Sequence, residues 1–286
     1  MSVNKYLSKI EKLDGKKVII TGGTSGIGLS IVKHLLFLNA KVVVLARNID
    51  KANKVKKAML EKYPNNEITI IRYDQSDNQS ILEASEEIIK NHQDFYALIM
   101  NAGIFQSKKK QTRVDDISCT IKTNYVGLAL FISTILEKVH GEHRYIFQGS
   151  FVAGYHIKKI NSLKDKNISP WQQYLISKSG VESLYYHYSQ EKTDSLFYLV
   201  EPGLTNSDII RDFPSPIRQM GHIFMKVVSH STDKAALTAI YALRRDVKPC
   251  YIVPRGFMTY MGYPKTKLFP KKRQRPSLYD LLNDNR

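Results

Sequence analysis

Val18-Ile19-Ile20-Thr21-Gly22-Gly23-Thr24-Ser25-Gly26-Ile27-Gly28 passes from a short apolar run through a glycine cluster into an amphipathic stretch. In that stretch Ile27, Ile31, Leu35 and Leu38 recur at three- and four-residue spacing, which predicts a helix. Strand, glycine loop and helix in this order make a phosphate cradle. Glycines let the backbone turn tightly and approach a pyrophosphate with no Cβ in the way. The opening turn of the helix then points unpaired N–H groups and the positive end of its dipole at the anion. Thr21, Gly22, Thr24, Ser25, Gly26, Ile27 and Gly28 are therefore the candidate cradle residues.

Outward from the cradle the same alternation continues. Val18–Ile20, Val42–Leu45, Ile68–Ile71, Ala97–Met100, Tyr145–Gln148, Leu196–Val200 and Tyr251–Val253 read as strands. Between most of them lie helix-length segments with apolar faces: Ile117, Ile121, Leu128, Ile132 and Ile135 in one, Val181, Leu184, Tyr185 and Tyr188 in another. Strands alternating with helices predict an α/β fold, a Rossmann-type doubly wound parallel sheet of about seven strands with helices on both faces. Ligands of such sheets bind beyond the carboxyl ends of the strands. No repeat or linker divides the order, so residues 1–286 read as a single domain. Its core runs from about 14 to 255, a lid covers 206–230, and a basic C-terminal tail of little periodicity follows from about 256.

Composition narrows the partners. Two cysteines, Cys119 and Cys250, lie outside any Cys-x-x-Cys pattern, and the eight histidines show no ligand spacing, so neither disulfide framework nor metal site is expected. The net charge of +17 suits either a polyanionic partner or a lysine-rich surface that also attracts a phosphate-bearing cofactor. The basic residues are spread along the chain and accompany no nucleic-acid motif, which favours the second, with one denser run at Lys271, Lys272, Arg273 and Arg275. No apolar stretch reads as reaching the roughly 18–20 residues that cross a bilayer. Lysines at positions 5, 9 and 12 argue against a signal peptide. A cytoplasmic protein is expected, with peripheral membrane contact left open.

The glycine spacing, Gly-x-x-x-Gly-x-Gly after Thr21, resembles the short-chain dehydrogenase/reductase family, and the resemblance runs from about residue 14 to 255. It implies a nicotinamide cofactor and hydride transfer between that cofactor and a carbonyl or alcohol carbon. An NAD enzyme usually places a carboxylate at the end of the second strand to hold the adenosine ribose. Here Ala46 stands in that place and Arg47 follows, a guanidinium suited to a 2′-phosphate, so the expected cofactor is NADP(H). Asp74 resembles the family acid near the adenine, and Asn101-Ala102-Gly103 the family segment beside the cofactor. Pro202, Gly203, Thr205 and Ser207 resemble the segment that holds the nicotinamide carboxamide.

A carbonyl reductase needs a proton donor, and a free tyrosine, with a pKa near 10, suits the task only when an ammonium stabilises its phenolate. Lysine four residues after tyrosine shares its helix face. The pattern occurs four times, at Tyr155/Lys159, Tyr174/Lys178, Tyr188/Lys192 and Tyr263/Lys267. Only Tyr174 opens a long helix directly after a loop, which is also the family's context. Ser150 ends the fifth strand, where its hydroxyl can hold a substrate oxygen. Asn124 interrupts an apolar helix face and matches the family's proton relay. Asn124, Ser150, Tyr174 and Lys178 thus resemble the family's catalytic tetrad.

Ser150 and Tyr174 stand 24 residues apart, and this insertion, Arg47 and Gly256-Phe257-Met258 are similar to the retinol dehydrogenase and protochlorophyllide reductase branch. Phe151, Tyr155, Trp171, Phe213, Ile217, Met220, Phe224 and Met225 give the substrate pocket largely apolar walls, implying a medium-sized hydrophobic carbonyl compound. Two other readings stand beside this one: a catalytically silent NADP(H)-binding sensor, and a peripheral membrane or nucleic-acid binder using the basic tail. The family often forms homo-oligomers through the helices that carry the asparagine and the tyrosine.

Overall fold

Val18, Ile19 and Ile20 are fully buried, and β1 (Lys17–Thr21), to which they belong, lies inside a sheet covered on both faces. The computed structural model describes residues 1–157, 160–205, 231–256, 259 and 261–283. Parallel to β1 run β2 (Lys41–Ala46), β3 (Ile68–Arg72), β4 (Ala97–Met100), β7 (Arg144–Gln148), β8 (Leu196–Val200) and β9 (Tyr251–Pro254), while β5 (Arg113–Val114) and β6 (Ile117–Ser118) form a separate hairpin. With β10 (Pro264–Lys267) at one edge, the sheet has eight strands among the described residues, ordered β10-β9-β8-β7-β4-β1-β2-β3. Chain order reverses between β1 and β4, where Val18 pairs with Val42 on one side and Ala97 on the other. A crevice at the carboxyl ends of these two strands is the site such a topology offers a ligand.

The eighth strand, β10 (Pro264–Lys267), pairs antiparallel with β9 and was hidden by composition. Pro-Lys-Thr-Lys has no apolar alternation, and lysines at an exposed edge discourage pairing with another chain. The segment read as a tail is therefore part of the fold.

After a short α1 (Val3–Leu7), helices α2 (Gly26–Phe37), α3 (Ile49–Lys62), α4 (Asn78–Asn91), α6 (Gly127–Lys138) and α7 (Pro170–Ser189) fill the crossovers, with short α8 (Thr232–Ala235) and α9 (Leu237–Tyr241) later in the chain. Side-chain caps start several of them. Asn48 accepts from the Lys51 amide at 2.8 Å, Asp77 from Gln79 at 3.0 Å, and Ser169 from Gln172 at 3.3 Å, with Pro170 in the first turn of α7. One apolar core joins Ile31, Leu35 and Ile240 to Val18, Ile20 and Ile146; the other joins Ile88, Ile132 and Leu184 to Ile19, Tyr145 and Leu199.

Two expectations change here. Ile117 lies in β6 and not in the helix that follows. From Cys119 to Lys138 the chain is helical throughout, α5 (Cys119–Ile121) passing through a π turn at Lys122–Val126 into α6. This stretch is long and apolar enough to cross a membrane by length and composition, contrary to the sequence reading, which counted α6 alone. Of its most apolar window 72% is buried within the fold, where Ile121, Leu128 and Ile132 pack against the sheet.

The C-terminal helix α10 (Pro276–Asn283) lies against α7. The Tyr125 hydroxyl donates to the Leu278 carbonyl, and Tyr279 stacks on His187 with ring centres 3.7 Å apart. The chain thus covers with its own terminus part of the helix face through which the family resemblance implied subunit pairing.

Candidate active site

The glycine loop is tied to the end of β4 by hydrogen bonds across the switch point. The Asn101 side-chain amide donates to the carbonyls of Thr21 at 3.1 Å and Gly22 at 3.2 Å, and the Ala102 amide donates to the Thr21 hydroxyl at 2.9 Å. Packing is close enough to require glycine. A Cβ on Gly28 would lie 2.1 Å from the Gly22 carbonyl oxygen, and Gly22 itself has φ +72°. Ser25, the residue before α2, makes no side-chain cap to the helix, so the first-turn amides face the crevice without one. Such a cradle fits a pyrophosphate.

At the end of β2, Ala46 is buried, and the Arg47 side chain is 70% exposed with its Nε 4.0 Å from Asp74 Oδ2. Asp74 is held in the turn before α4: its Oδ1 accepts from the Ser76 amide at 3.0 Å and the Ser76 hydroxyl at 2.7 Å. Arg47 is thereby placed at the rim of the crevice with a free reach into solvent.

The residues expected to carry the chemistry gather on the other side of β4. Tyr174 and Lys178, one turn apart on α7, are both buried. The Ser150 side chain lies close enough to the Tyr174 phenol to favour its ionised form. Lys178 Nζ donates to the Gln148 carbonyl at 3.3 Å. A Cβ on Gly103 would lie 3.4 Å from Lys178 Nζ and 3.4 Å from Asn124 Oδ1, so the loop after β4 touches both. Asn124 sits in the π turn, a helical irregularity common at functional sites. Its amide donates to the Ile104 carbonyl at 2.8 Å and the Ser177 hydroxyl at 3.0 Å and accepts from the Ile104 amide at 2.7 Å. Asn124 therefore pins the Gly103–Ile104 loop to α7; its side chain is spent on position.

Burial decides the electrostatics. It pushes the Tyr174 phenol up to about 12, with the Ser150 side chain acting against it. This differs from the sequence expectation that the neighbouring ammonium draws the phenol down. Desolvation dominates for both groups, for burial also lowers the Lys178 ammonium to about 8, with Glu182 opposing. At neutral pH both groups hold their protons.

The three other Tyr-x-x-x-Lys pairs lead elsewhere. Tyr155 is 50% exposed and Lys159 lies outside the described residues. Tyr188 belongs to the core, and Tyr263 stacks on Tyr6. Pro202 and Gly203, with φ +76° at the glycine, follow β8, and Thr205 is buried. Ser207, the 206–230 lid and its wall residues lie outside the described residues. Phe151 and Trp171, with Phe105 and Val152, pack around Tyr174. The Trp171 ring centre is 6.2 Å from that of Tyr174 and the Phe105 ring stands edge-on at 5.5 Å.

Two residues escaped the sequence reading. Gln148 ends β7 buried, and neither polar atom of its side chain has a hydrogen-bond partner among the described residues. A glutamine directly after the apolar run Tyr145–Phe147 was the available signal. Arg273, read as part of a basic surface run, is 6% exposed and reaches the carbonyl of Ser150 at 3.2 Å.

A profile of the short chain dehydrogenase family matches residues 16–216. The chain belongs to that family. Among its relatives, human polyprenol dehydrogenase is 26% identical over 235 residues, covering 78% of this chain and 71% of that protein. Human retinol dehydrogenase 12 is 25% identical over 245 residues, 83% of this chain and 76% of that one. This is the retinol dehydrogenase-like branch of the family. With the short-chain dehydrogenase TIC 32 B of Brassica napus the match is 34% over 126 residues, 44% of this chain and only 39% of the relative. Solved structures share the fold. An uncharacterized protein from Mycobacterium Paratuberculosis superposes with a TM-score of 0.73 at 18% identity over 96% of this chain and 93% of its own. A short-chain dehydrogenase from Burkholderia cenocepacia J2315, solved in complex with NADP, has a TM-score of 0.66 at 19% identity over 84% and 96%. This family member is an oxidoreductase acting on alcohol or carbonyl groups.

Proposed function

We propose that this short-chain dehydrogenase uses NADP(H) and works on a medium-sized hydrophobic carbonyl or alcohol, with Tyr174 as the general acid or base. The observation that carries the reading is the burial of Tyr174, Ser150 and Lys178 together, with Lys178 one turn from Tyr174 and Gly103 against Lys178 and Asn124. The cradle that a Cβ would fill at Gly28, and the unpartnered amide of Gln148, both fit a polar ligand lying along the crevice from α2 to β7. When bound, the nicotinamide supplies or accepts the hydride. Tyr174, protonated up to about pH 12, gives its proton to the carbonyl oxygen, and Ser150 holds that oxygen by a hydrogen bond. Lys178, as an ammonium, steadies the phenolate left behind. Asn124 keeps the loop beneath them in place. Phe105, Phe151 and Trp171 exclude water from one side of Tyr174 and favour an apolar substrate. A protein working in the cytoplasm on a small molecule fits this reading.

The test is a panel of carbonyls and alcohols followed by NADPH absorbance. Turnover confined to small charged carbonyls would sink the hydrophobic-substrate part. Cofactor choice rests on Arg47. Replacing it by alanine removes charge-assisted bonds worth about 1.5–3 kcal/mol. Arg47→Ala is expected to weaken NADPH binding about 10–100-fold while leaving NADH binding unchanged. Fluorescence titration with both nucleotides measures this, and equal losses for the two would count against a 2′-phosphate contact.

The charge states also set a pH dependence. Reduction needs Lys178 in its cationic form, which is complete at acid and neutral pH and lost as pH rises through about 8. In the direction of reduction kcat/KM is therefore expected to be level below that point and to fall above it. A profile that rises through the same range would show that the ammonium has no part in the step.

A further inference from the structure

Residues 264–283 turn back under the reacting groups, and Arg273, in a short 3-10 turn (Lys271–Arg273), is buried among them. Its Nε donates to Glu182 Oε2 at 2.9 Å, its Nη1 to the Tyr251 hydroxyl at 2.8 Å, and its Nη2 to the Ser150 carbonyl at 3.2 Å. Nη2 also bonds to Glu182 Oε1 and Glu201 Oε1. Both carboxylates are fully buried. Glu182 follows Lys178 by one turn of α7, and Glu201 leads directly into Pro202-Gly203. One side chain thus touches the Ser150 backbone, the turn below Lys178 and the start of the segment after β8.

On the oxidoreductase reading given above, we infer that Arg273 is a positioning residue of the active site: it anchors the Ser150 backbone and secures Glu182 as the counter-charge to Lys178. A buried carboxylate without a partner is expensive, and a forked guanidinium can meet two of them where an ammonium makes a single point contact. Lys178, Glu182, Glu201 and Arg273 form two buried cations facing two buried anions. Tyr174 on α7, Tyr251 on β9, and Arg275, which donates to the Ala153 carbonyl at 2.9 Å, complete the titratable and charged surroundings. Burial drives the Glu182 carboxyl up, and Arg273 draws it back toward the charged form. Glu182 in turn supports the charge on Lys178. With Arg273 gone, Glu182 takes a proton and Lys178 loses its nearest anion, so the ammonium gives up its proton at lower pH.

The test compares wild-type protein with Arg273→Met, Arg273→Lys and Glu182→Gln. Competitive labelling of Lys178 by acetic anhydride, from about pH 6 to about pH 10, reads its protonation without substrate. NADPH binding is followed by fluorescence, and turnover by NADPH oxidation with 4-nitrobenzaldehyde. Arg273→Met is expected to bind NADPH within about threefold of wild type. Its kcat is expected to fall about 10–100-fold, with the labelling midpoint and the falling limb of the rate profile both displaced to lower pH. Arg273→Lys recovers part of each, and Glu182→Gln displaces the midpoint in the same direction even should Arg273→Met fail to fold. Wild-type midpoints in Glu182→Gln and in whichever Arg273 variants fold would overturn the inference. A displaced midpoint in a protein whose wild type turns over no carbonyl would sink the oxidoreductase reading and leave the coupling of Arg273 to Lys178 standing.

Discussion

Tyr174→Phe protein is expected to bind NADPH as wild type does and to reduce its carbonyl substrate about 10²–10⁴-fold more slowly. That loss corresponds to about 3–5 kcal/mol of barrier. The substitution keeps the ring that packs against Phe105 and Trp171 and deletes only the hydroxyl. One hydrogen bond is worth about 1 kcal/mol of stability, so the fold survives. Single-turnover kinetics with saturating NADPH, beside a binding titration, separate the two effects. Unchanged turnover would favour a silent NADP(H)-binding protein or move the proton donor elsewhere; lost binding would show Tyr174 to be structural.

The second large effect is expected at Gly28. Alanine there places a methyl 2.1 Å from the Gly22 carbonyl oxygen and 2.6 Å from the Asn101 side-chain nitrogen, two atoms already bonded to each other. Backbone has to move, and what moves is the cradle. Gly28→Ala is expected to weaken NADPH binding by about 10²-fold or more, at least about 2.7 kcal/mol. Overpacking adds a stability cost of about 1–3 kcal/mol, visible as a lower Tm. Gly26→Ala is the contrasting case: a Cβ there meets nothing within 4 Å, and φ +54° leaves only local strain, about 1–2 kcal/mol. Equal losses of NADPH affinity in the two variants would argue that the loop does not shape the nucleotide site.

Most of the sheet was legible because its strands are buried on both faces and so read as unbroken apolar runs, Val18–Ile20 and Val42–Leu45 among them. β10 was not, because an edge strand with lysines has the composition of a loop. The membrane-length stretch from Cys119 to Lys138 was underestimated for a related reason. Its middle, Lys122-Thr123-Asn124, looks polar, yet all three are buried and partnered, Lys122 by Asp115 and Asn124 by Ile104. Within the site, spacing alone could not choose among four tyrosine–lysine pairs; the place of Tyr174 at the opening of a long helix directly after a loop did. The lowered charge affinity of Lys178 and the inward turn of Arg273 were invisible, since both depend on what surrounds a side chain rather than on what precedes it. A run of four basic residues reads the same whether it faces water or, as with Arg273, two carboxylates.

The route of the chain has a consequence for how a working molecule is made. Residues 264–283 leave the ribosome after β9, and they supply the edge strand β10, the helix seated on α7 and the guanidinium between Glu182 and Glu201. Until they emerge, two carboxylates in the interior stand without their cation and Tyr125 lacks its acceptor on Leu278. A nascent polypeptide halted after β9 contains every residue of the glycine loop and still lacks the guanidinium that meets the Ser150 carbonyl.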